Sequence, residues 1–164
     1  MVGFAVVGLG KGYDRACEIQ QTEGAALRAV VDIREDRARE VGEELGVDWT
    51  PSMDDVLGRD DVDVVMVMTP SGSHGDVGIE VAKGGKHVIS TKPLDVTVGA
   101  CGRLAAVCKG AGVLCGVDYQ CRYADGNVAL REALQQGWLG KPILGEARFK
   151  WYRSQEYYDH NGGW

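Results

Sequence analysis

The stretch Val2-Gly-Phe-Ala-Val-Val-Gly8-Leu-Gly-Lys-Gly12 decides the fold. A short apolar run ends in three closely spaced glycines, which is the pattern of a buried strand that turns tightly into a helix. Such a turn presents backbone N–H groups at a helix N-terminus, where a phosphate group can bind. The usual Gly-x-Gly-x-x-Gly spacing would place the third glycine at position 13, but Tyr13 stands there and Gly12 comes one residue early. A glycine-rich turn that binds no ligand is the alternative.

The rest of the chain alternates apolar runs with amphipathic segments. We predict strands over 2–7, 26–32, 47–49, 62–68, 86–90 and 113–117. We predict helices over 13–22, 34–45, 52–57, 74–83 and 124–137, and another that carries Cys101. Strands separated by helices in this order predict an α/β fold of Rossmann type, a doubly wound parallel sheet with right-handed crossovers.

The last forty residues have a different pattern. Residues 142–152 alternate apolar and polar side chains after a Gly-Lys-Pro turn, which predicts one long strand. One strand has no partner for its own apolar face. We therefore expect 1–122 to form the Rossmann domain, and 123–164 to be the linking helix and opening strand of an otherwise missing α+β second domain.

Composition excludes several classes of function. The chain has 164 residues, 45% of them hydrophobic and 26% charged, with a net charge of −6, so we expect no nucleic-acid partner. It has neither a basic N-terminal leader nor an apolar run long enough for a membrane span, so we expect a cytoplasmic protein. Its five cysteines form no Cys-x-x-Cys pair, and we expect no metal site.

Asp32 closes the predicted second strand, 24 residues after Gly8. A carboxylate at this place can bind both ribose hydroxyls of an adenosine and repels a 2′-phosphate. The position favours NAD over NADP, although the nearby Arg34 keeps NADP possible. The same side chain could instead cap the helix that follows.

A different class of enzyme shares part of this pattern. Gly8, Gly10 and Gly12 also spell the Gly-x-Gly-x-Gly of S-adenosylmethionine methyltransferases. Those enzymes usually carry an acid in the strand just before the glycines, where this chain has Val6 and Val7. We therefore rank a methyltransferase below a dinucleotide-binding protein.

Two further motifs follow the predicted fourth and fifth strands. The first is Thr69-Pro-Ser-Gly-Ser-His74, and the second is Gly85-Lys-His-Val-Ile-Ser-Thr-Lys92-Pro93. Together they resemble the Thr-Pro-x-x-x-His and Gly-Lys-His-Val-x-x-Glu-Lys-Pro motifs of the Gfo/Idh/MocA oxidoreductases, and the resemblance runs from Val2 to Trp164. Both motifs stand at carboxyl ends of neighbouring strands, the edge where doubly wound sheets bind ligands.

The resemblance implies an NAD-binding site and a catalytic lysine. Lys92 would lie beside the nicotinamide and the substrate hydroxyl, where a partly desolvated amine can accept the hydroxyl proton. Thr69, Pro70 and His74 would line the ribose on the nicotinamide side, although His74 could also be a helix N-terminal residue without such a role. The residues expected to bind the cofactor are Gly8, Leu9, Gly10, Lys11, Gly12, Asp32, Arg34, Thr69, Pro70, Ser71, His74, Thr91 and Lys92.

The chain differs from the family motif at Thr91, and it resembles the family again at Gln120 and Arg122. The family's glutamate before the lysine is Thr91 here, which removes a carboxylate that would contact the cofactor. Gln120 and Arg122 resemble a family segment that lines the substrate cleft, and they are our candidates for substrate binding. Arg122 could instead form a surface ion pair.

These observations predict an NAD(P)-dependent dehydrogenase that acts on a sugar, inositol or related polyol. We expect this chain to be a poor catalyst by itself if it is truncated, because the substrate would not be held against the nicotinamide. A non-catalytic dinucleotide-binding fragment or regulator is the alternative. We also expect a homo-oligomer, because the aromatic strand would expose an edge and a face.

Overall fold

The computed structural model describes residues 1–159 of the chain. It divides into two compact units, of which the first is Met1–Tyr119 and the second begins at Gln120. The predicted strand–helix alternation is confirmed throughout the first unit. The elements and their bounds are β1 Val2–Val7, α1 Gly12–Gln21, β2 Ala25–Val31, α2 Glu35–Leu45, β3 Asp48–Thr50, α3 Met53–Leu57, β4 Val64–Val67, α4 His74–Lys83, β5 His87–Thr91, α5 Val98–Ala111 and β6 Cys115–Asp118.

The six strands form one parallel sheet in the order β3-β2-β1-β4-β5-β6. The order reverses between β1 and β4, so a crevice opens there at the carboxyl ends of the strands. The helix predicted over 74–83 coincides with α4, and the other predicted elements of this unit end within a few residues of the observed ones. The expected Rossmann fold is thus confirmed.

The core of the first unit lies on both faces of the sheet, as a doubly wound fold requires. β4 is buried along its whole length, which explains why its sequence is wholly apolar. One face packs β4 and β5 against α4 and α5, with Leu104 and Cys108 buried. The other packs β1 and β2 against α1 and α2, with Leu9 and Ile19 buried.

The second unit contains two helices, α6 Asp125–Gln135 and α7 Gln155–Asp159. A helix was predicted over 124–137, and α6 occupies most of that range. The predicted strand over 142–152 was wrong, because residues 141–154 form neither strand nor helix. A strand needs a neighbouring strand for its backbone N–H and C=O groups, and the described part of the chain offers none to this segment.

No helix in the described residues is both long and apolar enough to cross a membrane. Within residues 1–159, no cluster of histidine, cysteine, aspartate or glutamate side chains could hold a metal ion. The cysteines in these residues are all free thiols.

Candidate functional site

The glycine turn after β1 lies directly against the end of β4. Gly8 has a φ of +88°, and a Cβ atom on it would lie 2.8 Å from the carbonyl carbon of Met68. A Cβ atom on Gly12 would lie 3.1 Å from side-chain atoms of both Val6 and Met68, so the start of α1 packs closely on the sheet. The first glycine is therefore required by backbone conformation, and the third by close helix–strand packing.

The middle glycine of the turn faces open space. Gly10 is exposed, and a Cβ atom added to it would meet nothing within 4 Å. The turn thus leaves room over its backbone at the N-terminal end of α1, where the helix dipole favours an anion. These residues fit the pyrophosphate of a dinucleotide.

Asp32 follows β2 and binds the glycine turn directly. Its carboxylate accepts a hydrogen bond from the Leu9 amide at 2.8 Å and another from the Arg34 amide at 3.0 Å. The residue is 9% exposed, and Arg34 Nε lies 3.9 Å from its Oδ1. The carboxylate therefore holds the ends of β1 and β2 together, and it is one of the few buried charges in the described residues.

Arg37, on α2, also binds the glycine turn, although no sequence pattern singled it out. Its Nε and Nη2 atoms both donate to the Leu9 carbonyl oxygen at 3.2 Å, and Nη1 pairs with Glu40 at 2.8 Å. The guanidinium also lies 5.6 Å from the ring centre of Tyr13. Asp32 and Arg37 thus bind both backbone polar groups of Leu9, the amide and the carbonyl.

Tyr13 occupies the position where the usual motif has its third glycine. Its hydroxyl donates to Glu44 on α2 at 2.5 Å. This hydrogen bond is the main reason that the pKa of Tyr13 rises to about 12. The tyrosine therefore joins α1 to α2 beside the glycine turn.

The segment after β4 forms a compact 3₁₀ turn over Ser71–Ser73. The Ser73 hydroxyl lies 2.9 Å from the Thr69 hydroxyl and 2.8 Å from the Pro70 carbonyl oxygen. Thr69 adjoins the glycine turn, because its backbone nitrogen would lie 2.9 Å from a Cβ atom on Gly8. The Thr-Pro motif and the glycine motif therefore meet at the crevice between β1 and β4.

His74 begins α4 and is 1% exposed. Its Nδ1 lies 2.7 Å from the Pro93 carbonyl oxygen, and its Nε2 lies 2.6 Å from the Thr69 carbonyl oxygen. We expected this ring to line a ribose, but both of its nitrogens face protein oxygens and almost none of its surface is open. His74 lies beneath the segments that follow β4 and β5.

Asp95 holds the N-terminus of α4 from the segment after β5. Its carboxylate accepts hydrogen bonds from the amides of Gly75 at 2.7 Å and Val96 at 2.6 Å. The hydrogen bond from Gly75 is the main reason that the pKa of Asp95 lies below its ordinary value, and the charge of His74 adds to the effect. This carboxylate thus fixes the start of α4 beside His74.

Lys92 follows the end of β5 and is exposed, while Thr91 before it is half-buried. Thr91 is paired in register with Asp118, the last residue of β6. Asp118 in turn accepts a hydrogen bond from Arg15 Nε at 2.8 Å, and both side chains are mostly buried. This ion pair joins α1 to β6 at the same edge of the sheet, and nothing in our sequence analysis pointed to it.

The candidate substrate residues Gln120 and Arg122 belong to the second unit, in a 3₁₀ turn over Gln120–Tyr123. Arg122 lines a shallow cleft with Cys121, Asn127 and Arg131. Neither arginine forms an ion pair with another described residue. Asn127 donates to the Cys121 carbonyl oxygen at 2.6 Å, which joins the turn to α6.

Known proteins resemble the chain in sequence. It is 32% identical to the scyllo-inositol 2-dehydrogenase (NAD(+)) of Bacillus subtilis over 99% of its own length and 49% of that protein. It is 34% identical to the myo-inositol 2-dehydrogenase of Thermotoga maritima over 85% of its length and 42% of that protein. The chain thus spans about half the length of the curated relatives that it matches.

Solved structures resemble it in fold. The WlbA dehydrogenase of Bordetella pertussis, crystallised in complex with NADH and UDP-GlcNAcA, superimposes with a TM-score of 0.83 at 29% identity. This match covers 96% of the chain and 49% of that protein. A family model described as an oxidoreductase family with an NAD-binding Rossmann fold matches residues 2–119. The chain therefore belongs to the Gfo/Idh/MocA family of oxidoreductases with an NAD-binding Rossmann fold.

Proposed function

We propose that this chain binds NAD at the carboxyl edge of its sheet, as part of an oxidoreductase that acts on an alcohol group of a sugar, inositol or related polyol. One observation carries the proposal. The Asp32 carboxylate accepts a hydrogen bond from the Leu9 amide of the glycine turn, and the Thr69 backbone packs against Gly8 in the same turn. Residues from three separate loops therefore border one crevice, which is where Rossmann sheets bind dinucleotides.

The charges near β2 favour NAD over NADP. Asp32 keeps its carboxylate at the position where a ribose 2′-hydroxyl would bind, and a 2′-phosphate would meet that negative charge. Arg34 is largely exposed and paired with Asp32 only at 3.9 Å, so it can turn toward such a phosphate, whereas Arg37 is held by Leu9 and Glu40. We expect NADH to bind more tightly than NADPH, with Arg34 responsible for any remaining NADPH affinity.

Lys92 is the residue that we propose as the proton acceptor. When bound, the nicotinamide of NAD accepts a hydride from the carbon that carries the substrate hydroxyl. The Lys92 amine would take the hydroxyl proton, and its place just after β5 puts it at the carboxyl edge of the sheet. Thr91, in place of the family's glutamate, leaves no carboxylate at the preceding position.

We infer the substrate class from the relatives, and we assign substrate binding to residues of the second unit. Inositol dehydrogenases are among the relatives, and a related structure was crystallised with UDP-GlcNAcA. We propose that residues 123–164 belong to a substrate domain and that Gln120 and Arg122 bind substrate. We expect weak turnover by the 164-residue chain alone, because its relatives are about twice as long.

Self-association is a further part of this proposal. Ile143 and Leu144 are 96% and 87% exposed, and Phe149 and Trp151 are exposed to a similar degree. Apolar side chains gathered in one segment favour contact with a second copy.

Sedimentation velocity tests the self-association. It should show dimers or larger species, and a Leu144→Ser, Phe149→Ser double variant should shift them toward monomer. A wild-type chain that stays monomeric would reject the proposed self-association.

Calorimetric titration with NADH, NADPH and S-adenosylmethionine tests the cofactor. We expect saturable binding of NADH, weaker binding of NADPH and none of S-adenosylmethionine. Binding of the last compound alone would assign the chain to the methyltransferases instead.

Assays of NADH formation from inositol and sugars test the chemistry. Lys92→Ala should lower any turnover by about 100-fold or more, because an acid–base group contributes about 10²–10⁴-fold. Its NADH affinity should change only a few fold. Lys83→Ala removes an exposed lysine from the last turn of α4 and should leave both quantities unchanged. Turnover that survives in Lys92→Ala would remove this lysine from the mechanism.

A non-catalytic binder is the second candidate function. Lys92 is exposed in this chain, and a lysine in open solvent is a weaker base catalyst than a desolvated one. NADH binding without turnover on any polyol would favour this candidate.

A further inference from the structure

His74 connects two of the segments that border the crevice. It is fully buried at the start of α4, below the ends of β4 and β5. One ring nitrogen faces the carbonyl oxygen of Thr69 in the first segment, and the other faces that of Pro93 in the second. A single side chain thus spans the gap between the two sequence motifs.

The two contacts are both to backbone acceptors at short distances, 2.6 Å and 2.7 Å. A carbonyl oxygen only accepts, so the ring donates through whichever nitrogen carries a hydrogen, and a neutral ring has one such nitrogen at a time. A buried ring with a carbonyl oxygen close to each nitrogen has little freedom to rotate, and a buried carbonyl that loses its donor is unfavourable. His74 therefore fixes the separation between the Thr69 and Pro93 peptides.

The surroundings of His74 keep the ring itself in place. Asp95 binds the Gly75 amide from the segment after β5, so the backbone next to His74 is held from that side as well. Ser73, on the other side, is hydrogen-bonded to Thr69 and Pro70. The ring, its own helix turn and both segments thus form one connected set of hydrogen bonds.

We propose that His74 is a positioning residue that holds Thr69 and Lys92 in the arrangement needed for the nicotinamide half of the cofactor. This inference rests on the proposed function. Lys92 precedes Pro93, whose carbonyl oxygen the ring holds, so a shift of that peptide would also move the lysine. The adenosine half would be held differently, by Asp32 and the glycine turn, whereas the hydrogen-bond partners of His74 are Thr69 and Pro93.

A comparison of two ligands separates this role from a general loss of structure. NADH engages both halves of the site, whereas ADP lacks the nicotinamide and its ribose. In His74→Ala we expect NADH affinity to fall about tenfold, equivalent to the ~1.4 kcal/mol of a lost hydrogen bond. ADP affinity should stay within about twofold of wild type, because the glycine turn and Asp32 are unchanged.

Two conservative variants make the test sharper. The amide nitrogen of asparagine can replace Nδ1, so His74→Asn should keep the bond to Pro93, while the longer His74→Gln can replace Nε2 and keep the bond to Thr69. Both should fold even if the alanine variant does not. We expect their NADH affinities to lie between those of His74→Ala and wild type, again with little change in ADP affinity.

His87→Ala is the matched control. His87 lies at the opposite, amino-terminal end of β5 and accepts a hydrogen bond from the Leu114 amide at 3.1 Å. Its loss also removes a histidine contact with a backbone group, but at the far end of β5, so it should leave the affinities for both ligands unchanged.

The outcomes separate the two proposals. Suppose that wild type binds both ligands, and that the His74 variants lower the NADH and ADP affinities equally or lower neither. The positioning role is then overturned, and the proposed function stands. If the folded wild-type chain binds neither ligand, the proposed function fails, and this inference fails with it. Selective loss of NADH affinity, partly rescued by asparagine and glutamine, supports both.

Discussion

The two units of this chain differ most in what covers their apolar side chains. Every buried hydrophobic residue in the described part of the chain lies in the first unit, where each strand has a partner and each long helix packs on the sheet. In the second unit, α6 and α7 bury no side chain, and Ile143, Leu144 and Trp151 are more than three-quarters exposed.

The comparison shows that a local pattern is sufficient for a helix but not for a strand. A helix satisfies its own backbone hydrogen bonds, so α6 forms even though none of its residues is fully buried. Residues 142–152 have an equally clear strand pattern, yet a strand depends on a neighbour for those bonds. The first unit supplies six strands to one another, whereas the second supplies no partner among the described residues.

The largest expected effect contrasts a buried leucine with an exposed one. Leu104 on α5 is fully buried, and Leu144 is 87% exposed. Leu104→Ala should lower the free energy of unfolding by about 3 kcal/mol because it leaves a cavity. Leu144→Ala should lower it by less than about 0.5 kcal/mol. Urea unfolding followed by circular dichroism measures both, and losses of similar size would contradict the difference between the units.

Two glycines of the same turn sharpen the contrast within the first unit. Gly8→Ala would force a side chain into a φ of +88° and against the Met68 backbone, so we expect a loss of about 2 kcal/mol in unfolding free energy. The methyl group added by Gly10→Ala would have no atom within 4 Å. We therefore expect the free energy of unfolding to change by less than about 0.5 kcal/mol. Equal losses in thermal unfolding would mean that the turn does not pack against β4 as described.

A smaller effect concerns the pH dependence of stability. The pKa of Asp95 is lowered in the folded chain, so its carboxylate stabilises the fold above the ordinary value of 3.8, and this stability is lost as pH falls through the lowered pKa. The difference in melting temperature between wild type and Asp95→Asn should therefore be largest near neutral pH and shrink in acid. Asp76→Asn, which removes an exposed carboxylate from the first turn of α4, the turn that Asp95 binds, is the control. A difference independent of pH would show that the Asp95 charge has no part in it.

Much of the fold could be predicted because it is encoded locally. The apolar runs of β1 and β4 and the periodicity of α4 are visible in short windows of sequence, and the glycine turn fixes where β1 ends. The parallel order then follows from the alternation of strands and helices. The observed strand ends differ from the predicted ones by a few residues, because the point where a strand ends depends on the neighbouring strands that pair with it.

The contacts that organise the candidate site could not be predicted in the same way. Arg37 is one of several arginines on or near α2, and nothing local shows that it reaches the Leu9 carbonyl oxygen. The Arg15–Asp118 pair joins residues 103 positions apart. His74 was selected for its motif, but its burial and its two carbonyl partners depend on how two loops meet.

Chemical-shift mapping of backbone amides by NMR during an NADH titration tests the central claim most directly. We predict that the largest shifts fall together on residues 8–12, 32–34, 69–74 and 91–93, at the carboxyl edge of the sheet, with the amides near His87 and Leu114 unaffected. Shifts confined to the opposite edge, or to one of these loops alone, would contradict a dinucleotide site formed by all of them.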